Sequence, residues 1–380
     1  MRSREESGRA VRALALEAGF DAVGIVLPVP LDGDADGERF RRWIEAGRHG
    51  EMGYLERNAA KRLDPGKVLE GARSVVCVAL DYWTGERPPG GRPASAGTVA
   101  RYARGRDYHR VFDRRLRDLE RRIAEAFPGT RTRRYADTGP VLEKLWAERA
   151  GLGWRGKHTN LVSREWGSWL LLGELITDLD LAPDAPEEDH CGTCARCIEA
   201  CPTGAITAPY RLDATLCVSY LTIEHRGSIP EALRPGIGAR VFGCDDCLDA
   251  CPWNRFAREA READFRPRPS TLAPILAELV AMDDAAFLER FAGTAVMRAR
   301  REGLARNACV ALGNLRDPSG VPALAGALRD GSAIVREHAA WALGRIGTAE
   351  ARRSLGEAAL EPQEAPVRDA IAAALRASGG

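Results

Sequence analysis

The chain has 380 residues, with 55 Lys and Arg against 54 Asp and Glu, so its formal net charge is +1. That length supports two or three domains with a sizeable core. The charge balance excludes a basic nucleic-acid coat or an acidic tail and leaves electrostatic recognition to local patches. The start carries charges but no following apolar run of signal-peptide type, and no stretch reaches the length of a membrane span. A cytoplasmic monomer without membrane association is expected.

Residues 3–19 read as an amphipathic helix, with Val11, Leu14, Leu16 and Ala18 among charges and Gly19 as a stop. A strand follows from Asp21 and a helix from Glu38 to Ala46. Ser74-Val-Val-Cys-Val-Ala-Leu is a buried strand of β-branched type. The Pro- and Gly-rich stretch Gly85 to Ser95 is an exposed loop. Tyr108 to Phe127 is a long charged helix, Arg131 to Tyr135 a strand, and Gly139 to Ala150 a helix again. From Asn160 to Thr177 the pattern is two strands joined at Gly167. Such alternation predicts an α/β domain over residues 1–185.

Eight of the ten cysteines fall between positions 191 and 251. Cys191, Cys194, Cys197 and Cys201-Pro202 form C-x2-C-x2-C-x3-C-P. Cys244, Cys247 and Cys251-Pro252 repeat the pattern without its first cysteine, since Val241 stands there. Cys217 upstream is the replacement. In two-cluster ferredoxins the fourth cysteine of each run ligates the other cluster. That crossing groups Cys191, Cys194, Cys197 and Cys251 on one 4Fe–4S cluster, and Cys201, Cys217, Cys244 and Cys247 on the other. Disulfides suit short secreted chains, and zinc does not call for a third cysteine two residues on with a closing Cys-Pro. Cys77 and Cys309 lie in apolar runs and read as core thiols. Residues 186–265 are thus a ferredoxin-like module that moves low-potential electrons.

Beyond the linker at Arg266-Pro-Arg-Pro the composition shifts to Ala, Leu and Arg. The segment starting at Leu304 aligns with that starting at Val335, and Val367 onward continues the series. Helical pairs of this kind bury their apolar faces only by stacking, so residues 266–380 are expected to form HEAT-like repeats.

The first domain has neither G-x-G-x-x-G after a strand nor a P-loop, so the clusters need another acceptor. Asp137, at a strand end before Thr138-Gly139-Pro140, reads either as a helix cap or as a proton donor.

Five segments taken together narrow these readings: Arg101-Tyr-Ala-Arg-Gly-Arg-Asp-Tyr-His, Tyr135-Ala-Asp-Thr-Gly-Pro, Gly151-Leu-Gly-Trp-Arg-Gly-Lys-His-Thr-Asn, Cys217-Val-Ser-Tyr-Leu-Thr-Ile-Glu and Gly243-Cys-Asp-Asp-Cys-Leu-Asp-Ala-Cys-Pro-Trp-Asn. They resemble the epoxyqueuosine reductase family over nearly the whole chain. The resemblance implies reduction of epoxyqueuosine to queuosine at the tRNA wobble position, with base-off cobalamin beside two 4Fe–4S clusters. D-x-H-x-x-G does not occur, consistent with cobalt held without a histidine ligand.

By the same resemblance, Asp137 matches the proton donor, in a site dry enough to raise its pKa, and also lies against the cofactor. Arg57 matches a cobalamin contact. Lys157, Asn160, Ser163, Ser219 and Glu224 lie in cofactor-facing segments. The implied partners are a tRNA with a GUN anticodon and a low-potential donor such as ferredoxin or flavodoxin. Arg298, Arg300, Arg301 and Arg306, clustered where the repeats begin, are expected to meet tRNA phosphates. Two alternatives compete. One is a cobalamin-dependent enzyme of reductive-dehalogenase type; the other is a non-catalytic electron-transfer protein with a solenoid docking arm.

Overall fold

The computed structural model describes residues 2–88 and 90–377, so Pro89 of the expected loop lies outside the described residues. The chain divides into two compact units. The first comprises residues 1–85, 106–214 and 246–265, and the second residues 86–105, 215–245 and 266–380.

The first unit is built on a four-stranded sheet of β1 (Ala22–Val26), β2 (Ser74–Asp81), β3 (Thr132–Tyr135) and β4 (Leu170–Thr177), in spatial order β1-β2-β4-β3. Every pairing is antiparallel. The strand–helix alternation in sequence carries no information on strand direction. β2 is buried along its whole length, as its unbroken apolar run requires.

Helix α1 (Arg4–Glu17) opens with a capping box in which Ser3 and Glu6 exchange side-chain and backbone hydrogen bonds. Helix α2 (Tyr108–Ala126) starts on an Asp107 cap and buries Val111, Phe112, Leu116, Leu119 and Ile123, spaced as one helical face. Phe112 lies so close to β4 that a Cβ on Gly173 would stand 2.7 Å from its ring, which explains a glycine in mid-strand. On the opposite face Cys77, Leu172 and Ile176 pack with Leu145, Trp146 and Ala147 of α3 (Glu143–Arg149). Cys77 is a core thiol, as expected.

The second unit contains α4 (Arg300–Leu315), α5 (Val321–Ala327), α6 (Ala333–Ile346), α7 (Ala349–Ala359) and α8 (Ala365–Ala377). The repeat seen in sequence is realised as stacking of α4, α6 and α8. Gly313 and Gly344 are equivalent repeat positions. A Cβ on Gly313 would meet the Trp341 ring at 2.5 Å, and one on Gly344 would meet Ala374 Cβ at 2.7 Å. Close helix approach therefore depends on glycine at the same place in successive repeats.

Within the expected cluster module, residues 215–245 group with the helical repeats, and 186–214 and 246–265 with the sheet-bearing unit. Buried polar side chains of α4 are the reason. Arg306 donates to the carbonyls of Leu221, His225 and Gly227, at 2.6, 2.9 and 2.8 Å. Asn307 donates to Thr222 and Val241, and Asn314 to Arg234 and Gly238. These bonds pair backbone carbonyls of 221–241 with side chains of α4.

The same bonds correct the expected phosphate-contacting role of Arg306. It is 1% exposed and holds this segment to α4. Arg301 is also engaged, since its guanidinium makes a two-pronged pair with Asp330 at 2.6 and 2.9 Å.

Candidate functional site

The first site in the sheet-bearing unit is a group of cysteines. Cys191 and Cys194 sit on a loop, Cys197 on the turn of helix Arg196–Glu199, and Cys251 just beyond helix Asp246–Asp249. All ten cysteines are free thiols. Burial pushes the Cys197 thiol up to about 11, with Cys191, Cys251 and Cys194 adding to the shift as charged neighbours. Four mutually repelling thiolates are stable only around a cation, which is what an iron–sulfur cube supplies.

The surroundings hold this group in shape. Asp189 accepts the Cys191 backbone N–H at 2.7 Å. Trp154, fully buried, stands edge-on to Trp253 at 4.9 Å and to His190 at 5.0 Å, and Cys191 and Cys251 pack against this aromatic wall. Of the second expected set, Cys201 and Cys247 lie in the first unit. Cys201 Sγ accepts the Ala205 N–H at 3.2 Å. Cys217, preceding helix Val218–Ile223, and Cys244, after strand Arg240–Phe242, lie in the second unit.

The second site surrounds Asp137, on the loop between β3 and α3. Asp137 has φ +61°, a left-handed conformation that costs a non-glycine residue roughly 1–2 kcal/mol. The Tyr108 hydroxyl donates to its Oδ2 at 2.8 Å, and His109 Nε2 lies 3.4 Å from the same oxygen. His109 Nδ1 is 2.7 Å from Asp107 Oδ1, so the imidazole is clamped between two carboxylates. The Tyr108 and His109 rings stack at 4.0 Å. The Asp137 backbone N–H donates to Glu143 Oε1. Arg62, 6% exposed, donates to the Val141 carbonyl at 2.9 Å and adds positive charge near Asp137 and Glu143.

This geometry corrects the expected direction of the Asp137 pKa. Burial pushes the carboxyl up, but hydrogen bonds from His109 and Tyr108 and the charges of His109 and Lys144 outweigh it, leaving it below the usual carboxylate range. Its side chain is 62% exposed, so the recess is wet and solvent tempers these interactions. His109 moves the other way. Burial lowers it, yet the hydrogen bonds and charges of Asp107 and Asp137 push it up to about 9. The available proton therefore rests on His109 at neutral pH. Sequence reading passed over His109, Glu143 and Arg62. His109 stood in a quoted motif, but nothing in its spacing pointed at Asp137, 28 positions on.

The other expected site residues have mixed surroundings. Lys157 donates to the carbonyls of Gly192 and Cys194 at 2.6 and 2.9 Å, so it braces the cysteine loop. Ser163, 4% exposed, closes the turn to Gly167 and accepts the Glu165 N–H. Asn160 Oδ1 accepts from Lys144 at 2.6 Å, beside the Asp137 group. Arg57 is exposed at the end of helix Tyr54–Arg57. In the second unit Ser219 is half-buried, and Glu224 pairs with Arg298 at 2.8 and 3.0 Å. Arg300 is exposed at the start of α4.

A sheet-bearing unit, a double set of cluster cysteines and helical repeats define an iron–sulfur oxidoreductase. The model of the 4Fe-4S double cluster binding domain matches residues 190–254, and that of HEAT repeats matches residues 294–376. The model described as epoxyqueuosine reductase QueG, DUF1730 matches residues 62–138, which include Arg62, Tyr108, His109 and Asp137. The epoxyqueuosine reductase of Pseudomonas aeruginosa is 46% identical over 87% of this chain and 92% of its own length. That of Xanthomonas campestris is 44% identical over 89% and 95%, and that of Escherichia coli 40% identical over 88% of each.

The chain belongs to the epoxyqueuosine reductase family. That membership sets aside the dehalogenase-like and non-catalytic alternatives. Among solved structures, an epoxyqueuosine reductase with an epoxyqueuosine-modified tRNA-Tyr stem loop superposes with a TM-score of 0.91 at 30% identity, covering 98% of both chains. The Bacillus subtilis enzyme, with its aspartate catalytic loop swung out of the active site, superposes at 0.89 with 29% identity, covering 97% of this chain and 98% of that one. No helix among the described residues is long and apolar enough to cross a membrane.

Proposed function

We infer that this chain reduces epoxyqueuosine to queuosine at the wobble position of tRNA, using cobalamin and two 4Fe–4S clusters. The observation that carries this reading is the Asp107–His109–Asp137 chain, a stored proton beside a carboxylate in an open recess. Removal of the epoxide oxygen consumes two electrons and two protons and releases water, so a positioned acid is required. Family membership supplies the substrate, and the relative solved with a tRNA stem loop supports tRNA as partner.

The residues present fit cobalamin in part. A corrin carries amide and carbonyl groups at its rim, and the exposed Arg57 guanidinium and the half-exposed Asn160 amide suit them. Asp137, Lys157, Ser163, Ser219 and Glu224 are the further proposed contacts. When bound, cobalamin supplies a strongly reducing metal centre that accepts electrons singly from the clusters. The proposed cluster ligands are Cys191, Cys194, Cys197 and Cys251 for one, and Cys201, Cys217, Cys244 and Cys247 for the other.

The remaining chemistry belongs to the chain's side chains. In the open recess His109 carries the proton and Asp137 is ionised. Closure over substrate excludes water, and a charged pair then costs more than a neutral one. The proton shifts from His109 Nε2 to Asp137, which passes it to the departing epoxide oxygen, and solvent supplies the second proton as that oxygen leaves as water. Asp107 stays on Nδ1 and fixes the imidazole orientation, and Tyr108 steadies Oδ2. A tRNA with a GUN anticodon presents the base, and a low-potential protein such as ferredoxin or flavodoxin reduces the clusters.

Anaerobic protein loaded with cobalamin and iron–sulfide, given a chemical reductant and an epoxyqueuosine-bearing stem loop, should yield queuosine by nucleoside mass spectrometry. An unconverted stem loop, with corrin and iron both bound, would overturn this reading.

A further inference from the structure

Beneath Asp137 lies a second pair of acids that the proton path above does not use. Glu174 is on β4, 0% exposed, in register with Cys77 of β2 on one side and Tyr135 of β3 on the other. Neither of its oxygens has a hydrogen-bond partner of good geometry among the described residues. The ionisable groups that act on it are Glu143 first, then Asp137. Glu143, the first residue of α3, faces Asp137, Lys144 and Glu174, with Arg62 also near. Cys77 faces both acids.

Two carboxylates cannot both be ionised in such a place, because each desolvated charge raises the cost of the other. Burial pushes Glu143 up to about 7, with the Asp137 charge adding to it, and burial and Glu143 push Glu174 well above its ordinary range. At neutral pH Glu174 is the protonated member and Glu143 the site that gains or loses charge. The anion that remains has Lys144 and Arg62 to offset it.

The Asp137 loop needs such a fixture. Asp137 is held at positive φ without being glycine, and its backbone N–H points into the Glu143 carboxyl. Resting on the function proposed above, we propose that Glu143 and Glu174 are positioning residues for Asp137. Glu143 tethers the Asp137 backbone amide, and Glu174, buried on β4 beside it, backs that carboxyl. A charged acceptor binds an N–H about twice as strongly as a neutral one, so the tether is firm while Glu143 is ionised and slackens as it is protonated.

The test is made on holoenzyme loaded with both clusters and cobalamin, turning over an epoxyqueuosine stem loop between pH 5.5 and 9. Glu143→Ala should lower kcat by about 10- to 100-fold while KM stays within about twofold, the cost expected of a misplaced acid. Glu143→Gln keeps an acceptor oxygen and should recover to within about fivefold of the native rate at neutral pH. The native enzyme should also lose activity on acidification through about 7, and Glu143→Gln should lack that limb, having no proton to gain there.

Amide hydrogen exchange across residues 135–140 reads the tether without reference to turnover. It should be fastest in Glu143→Ala and intermediate between that variant and native in Glu143→Gln. Native exchange in Glu143→Ala would overturn the proposal whatever the substrate proves to be. So would a Glu143→Gln enzyme as slow as Glu143→Ala, or one that keeps the acid limb. If Glu143→Ala fails to load its cofactors, the pH profile and exchange of Glu143→Gln decide. Native protein that leaves epoxyqueuosine intact would count against the proposed function, and the exchange data would still judge the tether.

Discussion

His109 Nε2 stands 3.4 Å from Asp137 Oδ2, while its Nδ1 is 2.7 Å from Asp107. This arrangement places the exchangeable proton on the imidazole and makes the carboxylate its outlet. It explains how a carboxyl held below its ordinary pKa can serve as an acid near neutral pH.

The first prediction is a pH dependence. His109 titrates at about 9, above its ordinary value of 6.5, because its two carboxylate partners favour the charged form. The stabilisation from this pairing is fully present below the ordinary value and is lost as pH rises through about 9. Turnover should fall along the same limb. His109→Gln should remove the limb and lower kcat by about 10²-fold, the lower end of general acid catalysis. A His109→Gln enzyme with the native rate and alkaline limb would exclude His109 as the proton store.

Asp137→Asn keeps the shape of the side chain but cannot relay a proton. It should retain both clusters and bound cobalamin and lose most turnover. Loss of the Asp137 charge should also lower the His109 pKa, since Asp137 is one of the two groups raising it. NMR titration of the imidazole measures that shift. An unchanged His109 titration would mean that the two side chains are uncoupled in solution.

Cys217→Ala tests the less regular cluster. Native anaerobic protein should carry about eight iron atoms, two cubes of four. The variant should lose or convert the cluster assigned to Cys201, Cys244 and Cys247, and the other should keep its EPR signal. Unaltered iron content and spectra would make Cys217 structural. Lys157→Met should act on the opposite cluster, because its ammonium holds the carbonyls of Gly192 and Cys194.

Arg306 and Arg300 should separate cleanly. Arg306→Met removes a buried guanidinium that donates to the carbonyls of Leu221, His225 and Gly227 and should destabilise the protein by about 2–4 kcal/mol, read from chemical denaturation. Arg300→Glu, at an exposed position, should leave stability within about 0.5 kcal/mol. If Arg300 meets a phosphate, that variant should reduce the salt slope of tRNA binding by about 1. An unchanged slope would remove Arg300 from the interface.

Much of this molecule is legible in its sequence because the controlling constraints are local. Cysteine spacing within runs of a few residues is enough to announce iron–sulfur clusters. The long charged helix at 108–126 is legible in its own segment, and the repeated segments starting at Leu304 and Val335 in their 31-residue offset with shared glycine and alanine positions. The buried strand at 74–81 follows from an apolar run too short for anything but a sheet interior. Tertiary structure alone decided the rest. Antiparallel pairing of the sheet, the assignment of 215–245 to the helical unit, and the burial of Arg306 depend on partners dozens of residues away. The direction of the Asp137 pKa belongs to the same class, since burial and hydrogen bonding push it oppositely and only the placement of His109 and Tyr108 shows which wins. An arginine in a helical repeat looks the same in sequence whether it meets solvent or a row of buried carbonyls. What separates the two is the dielectric around it and the acceptors within reach, and folding sets both.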